Sequence, residues 1–163
     1  GDALEGAEMT VFGAGGAARA VVYGLLDRYG PSRLTLVARR PEQAEALAAD
    51  LEGYDPTDAL RTTTFDAAAS AVRASRLLVN ATPLGMAPET DATPWPDAGD
   101  LGPDHVAYDL VYTPEETRFL RAATEQGATT IGGLAMLVEQ AAAAYRQWTG
   151  RAMPTDAVYE ALR

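Results

Sequence analysis

The stretch Met9-Thr10-Val11-Phe12-Gly13-Ala14-Gly15-Gly16-Ala17-Ala18-Arg19-Ala20 contains a short apolar run that ends in glycines and passes directly into helix-forming residues. Gly13, Gly15 and Ala18 match the spacing G-x-G-x-x-G/A. In that pattern the first glycine permits a tight turn, the second lets the backbone approach a pyrophosphate, and the small third residue lets helix and strand pack closely. Glycine-rich turns also occur wherever a strand reverses tightly. A strand before the glycines and a helix after them favour dinucleotide binding.

Length and composition are those of one globular domain. The chain has 163 residues, of which 47% are hydrophobic, and this is ample for a core. The sequence shows no signal pattern of basic and then apolar residues, and no run reaches the roughly 18 apolar residues of a membrane span. We therefore expect a cytoplasmic protein that does not enter a membrane. Gly1 stands in place of a starting methionine, which suggests an excised piece of a longer protein or a processed chain.

The charge of the chain is strongly acidic. The formal net charge is -10, and all 13 basic residues are arginines, so lysine is absent. This balance argues against nucleic acid as a partner, because proteins that bind nucleic acids carry clustered positive charge. An acidic surface without lysine would suit a high-salt cytoplasm, where carboxylates stay hydrated and their repulsion is screened. A GC-rich genome that favours Arg, Ala, Gly and Asp codons would give the same composition.

Residues that bind metals or act as nucleophiles are scarce. The chain has no cysteine, which excludes disulfides, thiolate metal sites and a cysteine nucleophile. His105 is the only histidine and lies in a strand-like run, so we expect it to have a structural or exposed role. We expect no metal site.

Strand and helix signals alternate along the chain. The predicted strands cover residues 9–12, 34–38, 60–64, 77–80, 105–110 and 128–131. The predicted helices cover residues 17–29, 41–51, 66–73, 114–126, 133–149 and 154–163. For the fourth helix, Thr113 is the expected N-cap, with Pro114 in the first position and Glu116 completing a capping box. The proline-rich segment 87–103 is expected to be irregular and mobile.

This alternation predicts an α/β fold of the doubly wound type. Its mostly parallel six-stranded sheet would have right-handed crossovers and helices on both faces. Ligands of such sheets lie beyond the carboxyl ends of the strands, at the switch point. That rule gathers one group of segments into a single crevice: Gly13 to Gly16, Arg39-Arg40, Asn80-Ala81-Thr82, Tyr112 and Gly132-Gly133.

The end of the second predicted strand indicates which dinucleotide binds. NAD sites usually place an Asp or Glu there to accept hydrogen bonds from the ribose. This chain has Val37-Ala38-Arg39-Arg40 instead. A guanidinium matches a 2′-phosphate in charge and in geometry, so we predict NADP over NAD. The alternative is that one of the arginines only caps or solvates the following helix.

Four segments together resemble the shikimate dehydrogenase family. They are GAGGAAR from Gly13, NATPLGM from Asn80, YDLVYTP from Tyr108 and GLAMLVEQA from Gly133, and they occur in the family's order. The resemblance covers most of the chain and corresponds to the family's C-terminal NADP-binding domain, which has a Rossmann-type fold. It implies one such domain over residues 1–163, with the helices 133–149 and 154–163 facing an N-terminal substrate domain that has no counterpart here.

The resemblance also implies an activity and a set of site residues. The activity is NADPH-dependent reduction of 3-dehydroshikimate to shikimate, a step in making aromatic amino acids. The implied cofactor-binding residues are Gly13, Ala14, Gly15, Gly16, Ala17, Ala38, Arg39, Arg40, Asn80, Ala81, Thr82, Leu110, Gly133 and Met136. Tyr112 and Gln140 match residues that reach the substrate. Ala38-Arg39-Arg40 replaces an Asn-Arg-Thr motif, so one side-chain contact at Ala38 is lost and a charge at Arg40 is gained.

Each of these roles has a structural alternative. Tyr112 could be only a strand-end aromatic, Met136 a core filler and Gln140 a solvated helix residue. Gly133, Met136 and Gln140 nevertheless share one face near the start of a predicted helix, and that face could point into the crevice.

Lysine matters because the family moves the hydroxyl proton with a Lys-Asp pair from the N-terminal domain. With no lysine, we expect no catalytic residue in this chain, which would bind NADP without turning over shikimate. A quinate or shikimate paralogue and a free-standing regulatory NADP-binding module are the alternative functions. An exposed apolar interdomain face could also drive self-association.

Overall fold

A computed structural model describes residues 2–162 and contains one six-stranded sheet in the order β3-β2-β1-β4-β5-β6. Residues 1 and 163, the ends of the predicted domain, lie outside this range. The strands are β1 (Glu8–Phe12), β2 (Arg33–Val37), β3 (Leu60–Thr63), β4 (Leu77–Asn80), β5 (Val106–Asp109) and β6 (Thr129–Ile131). Every neighbouring pair is parallel. This order is that of the doubly wound dinucleotide-binding fold, so the predicted fold class is confirmed.

The helices follow the strands as predicted, with shifts at their ends. They are α1 (Gly16–Tyr29), α2 (Pro41–Leu51), α3 (Ala69–Ala74), α4 (Arg118–Glu125), α5 (Leu134–Thr149) and α6 (Thr155–Leu162). Gly30 ends α1 in the left-handed conformation at a φ of 50°, where glycine carries no steric cost. The predicted helix 66–73 is shorter than expected, because a 3-10 turn at Phe65–Ala67 precedes α3. Within residues 2–162, no helix combines the length and the apolar character that crossing a membrane requires.

The sheet is covered on both faces because successive side chains of a strand point to opposite sides. Val11 packs in a cluster with α1 and α2, whereas its neighbour Phe12 packs in a second cluster with α3 and α4. The ring of Phe12 lies 6.0 to 6.1 Å, between centroids, from the rings of Phe65, Trp95 and Phe119. Phe12 therefore ties β1 to the other side of the sheet at the strand end where the crevice was predicted.

The segment 87–103 is irregular, as its prolines predicted, apart from a 3-10 turn at Ala98–Asp100. Trp95 anchors it to the sheet, because the residue is only 4% exposed and its ring stacks on Phe12. The Trp95 indole also donates a hydrogen bond to Asp100 at 3.2 Å. The segment is thus packed against the core at its middle.

The predicted start of α4 at Thr113 and Pro114 is wrong. The helix begins at Arg118, and its N-cap is Thr117, whose hydroxyl accepts a hydrogen bond from the backbone N–H of Leu120 at 3.3 Å. Thr117 is fully buried and also donates to Asp109 at 2.6 Å. That long-range bond favours the later cap over the capping box, which local sequence alone favoured.

The corrected cap predicts unequal effects of two similar substitutions. We expect Thr117→Ala to lower the free energy of unfolding by about 2 kcal/mol, because it removes the cap and leaves a hydrogen bond of Asp109 unmade. We expect Thr113→Ala, at an exposed position, to cost less than about 0.5 kcal/mol. Urea unfolding followed by circular dichroism measures both. Equal costs would contradict the assignment of Thr117 as the cap.

Candidate functional site

A groove of about 200 Å³ opens at the carboxyl ends of β1, β2 and β4. It lies at the switch point, since the chain after β1 leads to one side of the sheet and β4 pairs with β1 on the other. Its lining residues are Gly13, Ala14, Gly15, Ala38, Arg39, Arg40, Gln43, Phe65, Ala81, Thr82, Pro83 and Leu84. The predicted segments that follow β1, β2 and β4 therefore do meet in one place. A larger cavity of about 590 Å³ lies between the 90–98 region and α4, and no predicted site residue lines it.

The glycine loop has one position where only glycine fits and one that leaves room for a ligand. Gly13 has a φ of 112°, and a Cβ atom there would lie 2.9 Å from the carbonyl oxygen of Ala81. Gly15 is the N-cap of α1, no side chain caps this helix end, and a Cβ atom on Gly15 would meet nothing within 4 Å. Gly16 and Ala17 form the exposed first turn of α1.

This loop fits the diphosphate of a dinucleotide. The first N–H groups of a helix have no partner within the helix, and no side chain caps this end of α1. Anions bind at such helix starts because the N–H groups donate hydrogen bonds and the helix dipole favours negative charge. The loop thus offers donors to an anion without a side chain in the way.

Two arginines also line the groove, after the end of β2. Ala38 is buried at the end of β2, and Arg39 and Arg40 after it are exposed. Arg40 is the N-cap residue of α2 and makes no side-chain cap bond. A guanidinium has only donors, so it cannot accept a hydrogen bond from the N–H groups of the helix. Within the range 2–162, neither arginine forms an ion pair with an acidic side chain.

Asn80 lies beneath the groove. It is fully buried at the end of β4. Its Oδ1 atom accepts hydrogen bonds from the backbone N–H of Thr82 at 3.0 Å and from the Thr82 hydroxyl at 2.6 Å. Its Nδ2 atom donates to the Leu84 carbonyl at 3.1 Å and to Asp109 at 2.9 Å. Asn80 therefore holds the loop that carries Ala81 and Thr82, and its side chain does not line the groove.

Asp109 is a carboxyl group without exposure to solvent. It accepts hydrogen bonds from Asn80, from the backbone N–H of Val111 at 2.9 Å and from the Thr117 hydroxyl. Burial raises the pKa of Asp109 above its ordinary value, and the three hydrogen bonds act in the lowering direction without reversing that shift.

A second group of predicted residues lies at the ends of β5 and β6. A Cβ atom on Gly133 would collide with the carbonyl group of Leu110 and lie 2.7 Å from the carbonyl oxygen of Val111. The start of α5 therefore packs closely on the end of β5. Met136, in the first turn of α5, is half-buried. The predicted substrate residues Tyr112 and Gln140 are both exposed, and neither lines the groove.

Sequence reasoning missed Gln43, Phe65, Pro83 and Leu84, which line the groove, and Asp109 beneath it. Phe65 follows β3, so the rule that joins strand ends would have found it if applied to that strand. Gln43 is three residues after Arg40 and shares its side of the first turn of α2. For Asp109 no local pattern signals that its partners are Asn80 and Thr117.

His105 has the structural role expected of it. It is buried, its Nδ1 atom accepts from the backbone N–H of Gly102 at 2.9 Å, and its Nε2 atom lies 3.1 Å from the carbonyl oxygen of Val72. Across residues 2–162, no group of His, Asp and Glu side chains is arranged to hold a metal ion.

Comparison with known proteins finds similar proteins both by sequence and by structure. A family model described as the shikimate 5'-dehydrogenase C-terminal domain matches residues 133–163. A protein of Salinibacter ruber named shikimate dehydrogenase (NADP(+)) is 71% identical over 164 residues, which cover 100% of this chain and 58% of that protein. The chain thus spans little more than half the length of this relative.

Two solved structures extend the comparison. Shikimate 5-dehydrogenase from Thermus thermophilus, in complex with NADP(H) and shikimate, matches with a TM-score of 0.81 and 38% identity over 98% of this chain and 55% of that chain. Quinate dehydrogenase from Corynebacterium glutamicum, in complex with NAD, matches with a TM-score of 0.86 and 31% identity over 96% of this chain and 54% of that chain.

The raised pKa of Asp109 predicts a pH-dependent stability difference. The unfolded chain ionises this group near 3.8, and the folded chain does so only at higher pH. As the pH rises through that interval, the wild type should lose stability relative to Asp109→Asn, which does not titrate. Urea unfolding of both proteins, from the ordinary value of 3.8 up to neutral pH, measures the difference. A difference that moves in favour of the wild type would mean that the hydrogen bonds outweigh burial.

Proposed function

Because this chain is related along its whole length to the shikimate dehydrogenases, we propose that it is the NADP(H)-binding domain of an enzyme that reduces 3-dehydroshikimate to shikimate. The observation that carries the proposal is the groove at the switch point. Its lining includes the glycine loop together with Arg39 and Arg40, where an NAD site would have an acidic residue. Such an enzyme contributes a step to the biosynthesis of aromatic amino acids.

The binding roles follow from the groove. The N–H groups at the start of α1 would hold the diphosphate, since no side chain blocks Gly15. Arg39 and Arg40 would pair with the 2′-phosphate of the adenosine end. Ala81 and Thr82 line the side of the groove toward β4, where the nicotinamide half would extend. Leu110, Gly133 and Met136 would continue that side, as the family resemblance implies.

The chemistry divides between this chain and the rest of the enzyme. When bound, NADPH supplies the hydride that reduces the substrate carbonyl. Proton transfer needs a separate acid-base group, and this chain contains no lysine to match the family's Lys-Asp pair. We therefore assign no catalytic residue here. Tyr112 and Gln140, both exposed, would contact the substrate from this side of the active site.

The two C-terminal helices are the proposed contact with the substrate domain. Val138 is the only buried residue of α5, and α6 has none among its described residues. Trp148 is 83% exposed and Leu162 is 51% exposed. Large apolar side chains in this state favour a covering partner, and self-association of the isolated chain is the alternative.

The proposal also covers the cellular compartment of the protein and the salt concentration to which it is adapted. We place the protein in the cytoplasm, where NADPH-dependent biosynthesis takes place. An acidic surface without lysine fits a cytoplasm rich in salt. An unfolding temperature that rises with salt concentration would support this reading, and one that does not rise would favour codon bias as the cause.

Quinate dehydrogenase is the second candidate, since the Corynebacterium glutamicum enzyme has a similar fold. That structure contains NAD, whereas Arg39 and Arg40 favour a phosphorylated cofactor in this chain. A free-standing NADP-binding regulatory module is the third, and the absence of lysine is compatible both with it and with an enzyme whose lysine lies in another domain. A gene in which an in-frame substrate domain precedes this segment would exclude the regulatory module.

Replacing both arginines tests the choice of cofactor. We expect the double variant Arg39→Asp, Arg40→Ser to weaken NADPH binding about a hundredfold and NADH binding much less, because only NADPH carries the phosphate. Arg33→Ser is the matched control, since Arg33 is exposed at the opposite end of β2. Calorimetric titration measures the affinities. Equal losses for NADPH and NADH would contradict the assignment.

Titration of the purified chain tests whether it binds the cofactor while another domain supplies proton transfer and most substrate contacts. We expect NADPH to bind, NADH to bind much more weakly and shikimate to give little heat, because most substrate contacts would come from another domain. We also expect no NADPH to form when shikimate and NADP+ are added, since the proton-transfer group is lacking. Measurable turnover by the chain alone would overturn this part of the proposal.

A further inference from the structure

A buried chain of hydrogen bonds links the groove wall to the start of α4. It runs from Thr82 through Asn80 and Asp109 to Thr117. Asn80, Asp109 and Thr117 are fully buried, so a ligand in the groove does not touch them. The proposed binding roles use Thr82 and leave Asp109 without a function.

We propose that Asp109 is a positioning residue that fixes the loop at Thr82 and Leu84, and thereby sets the affinity for the nicotinamide half of the dinucleotide. This inference rests on the proposed function, because it concerns the same groove. It adds a residue that contacts no ligand and acts through Asn80.

The Asn80 side-chain amide has two possible orientations, which exchange the positions of Oδ1 and Nδ2. A carboxylate has only acceptors, so Asp109 selects the orientation in which Asn80 Nδ2 points toward it. Oδ1 must then face Thr82, where it accepts from both the backbone N–H and the hydroxyl. The reverse orientation would place an NH₂ group against the Thr82 N–H. Asp109 therefore reinforces the orientation that Thr82 and Leu84 require, and it ties this amide to the end of β5.

The loop held in this way forms the β4 side of the groove. Leu84 receives one bond from Asn80 and makes a second, from its own N–H to the Thr82 hydroxyl at 3.2 Å. Both residues line the groove. Without Asp109, the Asn80 amide would keep its bonds to Thr82 and Leu84 but would lose its side-chain bond to the residue at the end of β5, so the loop would be held less firmly against the sheet.

The adenosine end of the groove is independent of the hydrogen bonds that link Thr82 to Thr117. Arg39 and Arg40 follow β2, which is separated from β4 by β1, a distance of about 10 Å across the sheet. None of the hydrogen bonds from Asp109 reaches β2. A change at Asp109 should therefore affect one half of the ligand and spare the other.

Two ligands separate these halves in a calorimetric experiment on the purified chain. NADP+ occupies the whole groove, whereas 2′,5′-ADP carries only the adenosine end with its phosphates. We expect Asp109→Ala to weaken NADP+ binding about tenfold, the effect of one lost interaction, and to leave 2′,5′-ADP binding unchanged. Asp109→Asn should restore NADP+ binding, because its Oδ1 still accepts from Asn80 and Val111.

Thr10→Val is the matched control. It removes another buried side-chain hydrogen bond of the same sheet, from Thr10 to Ser75 at 2.8 Å, that is not linked to the groove. We expect it to leave both affinities unchanged. If Asp109→Ala does not fold, Asp109→Ser replaces it, since a short hydroxyl cannot serve all three donors.

Three outcomes decide the matter. Selective loss of NADP+ binding in Asp109→Ala, with recovery in Asp109→Asn, supports the inference. Unchanged NADP+ binding, or equal loss of both ligands, overturns it while the proposed function stands. A wild-type chain that binds neither ligand overturns the proposed function and the inference with it.

Discussion

The close approach of Gly13 to Ala81 is the constraint on which the rest of the site depends. It brings the backbone after β1 against the backbone after β4, at a distance that a Cβ atom would not allow. The Gly13 N–H also donates to the Val37 carbonyl at 2.8 Å, which joins the loop to the end of β2. Three strand ends are thereby fixed around one space. The shape of the groove is set by backbone packing, and its side chains determine its charge and its hydrogen-bonding groups.

This chemical character differs between the two sides of the groove. On the β2 side, Arg39 and Arg40 are exposed and carry positive charge on a chain whose net charge is -10. On the β4 side, Thr82 is held by a buried polar network that contains an acidic group and lacks a basic one. An anionic ligand is therefore attracted at one end and met by uncharged, fixed groups at the other. Such a division fits a molecule with a phosphorylated end and a reactive end.

Local patterns predicted most of this architecture from the sequence. The glycine loop, the parallel six-stranded sheet and the residues after β1, β2 and β4 depend on short segments and on the rule that parallel strands end on one side. The start of α4 was wrong because the choice between Thr113 and Thr117 depends on Asp109, which is eight residues from Thr117 in the chain. The pairing of Asp109 with Asn80, 29 residues away, likewise has no signature in either segment. The roles of Tyr112 and Gln140 stay predictions, since they concern contacts beyond this chain.

The two tryptophans differ in solvent exposure, so their fluorescence reports on two different parts of the molecule. Trp95 is almost completely buried against Phe12, whereas Trp148 at the far end of α5 is 83% exposed. A buried indole emits at shorter wavelength than one in water, and a soluble quencher reaches only the exposed one. Fluorescence therefore separates two events in a single sample. Emission from Trp95 follows the integrity of the sheet, and quenching of Trp148 reports how far the end of α5 is open to solvent.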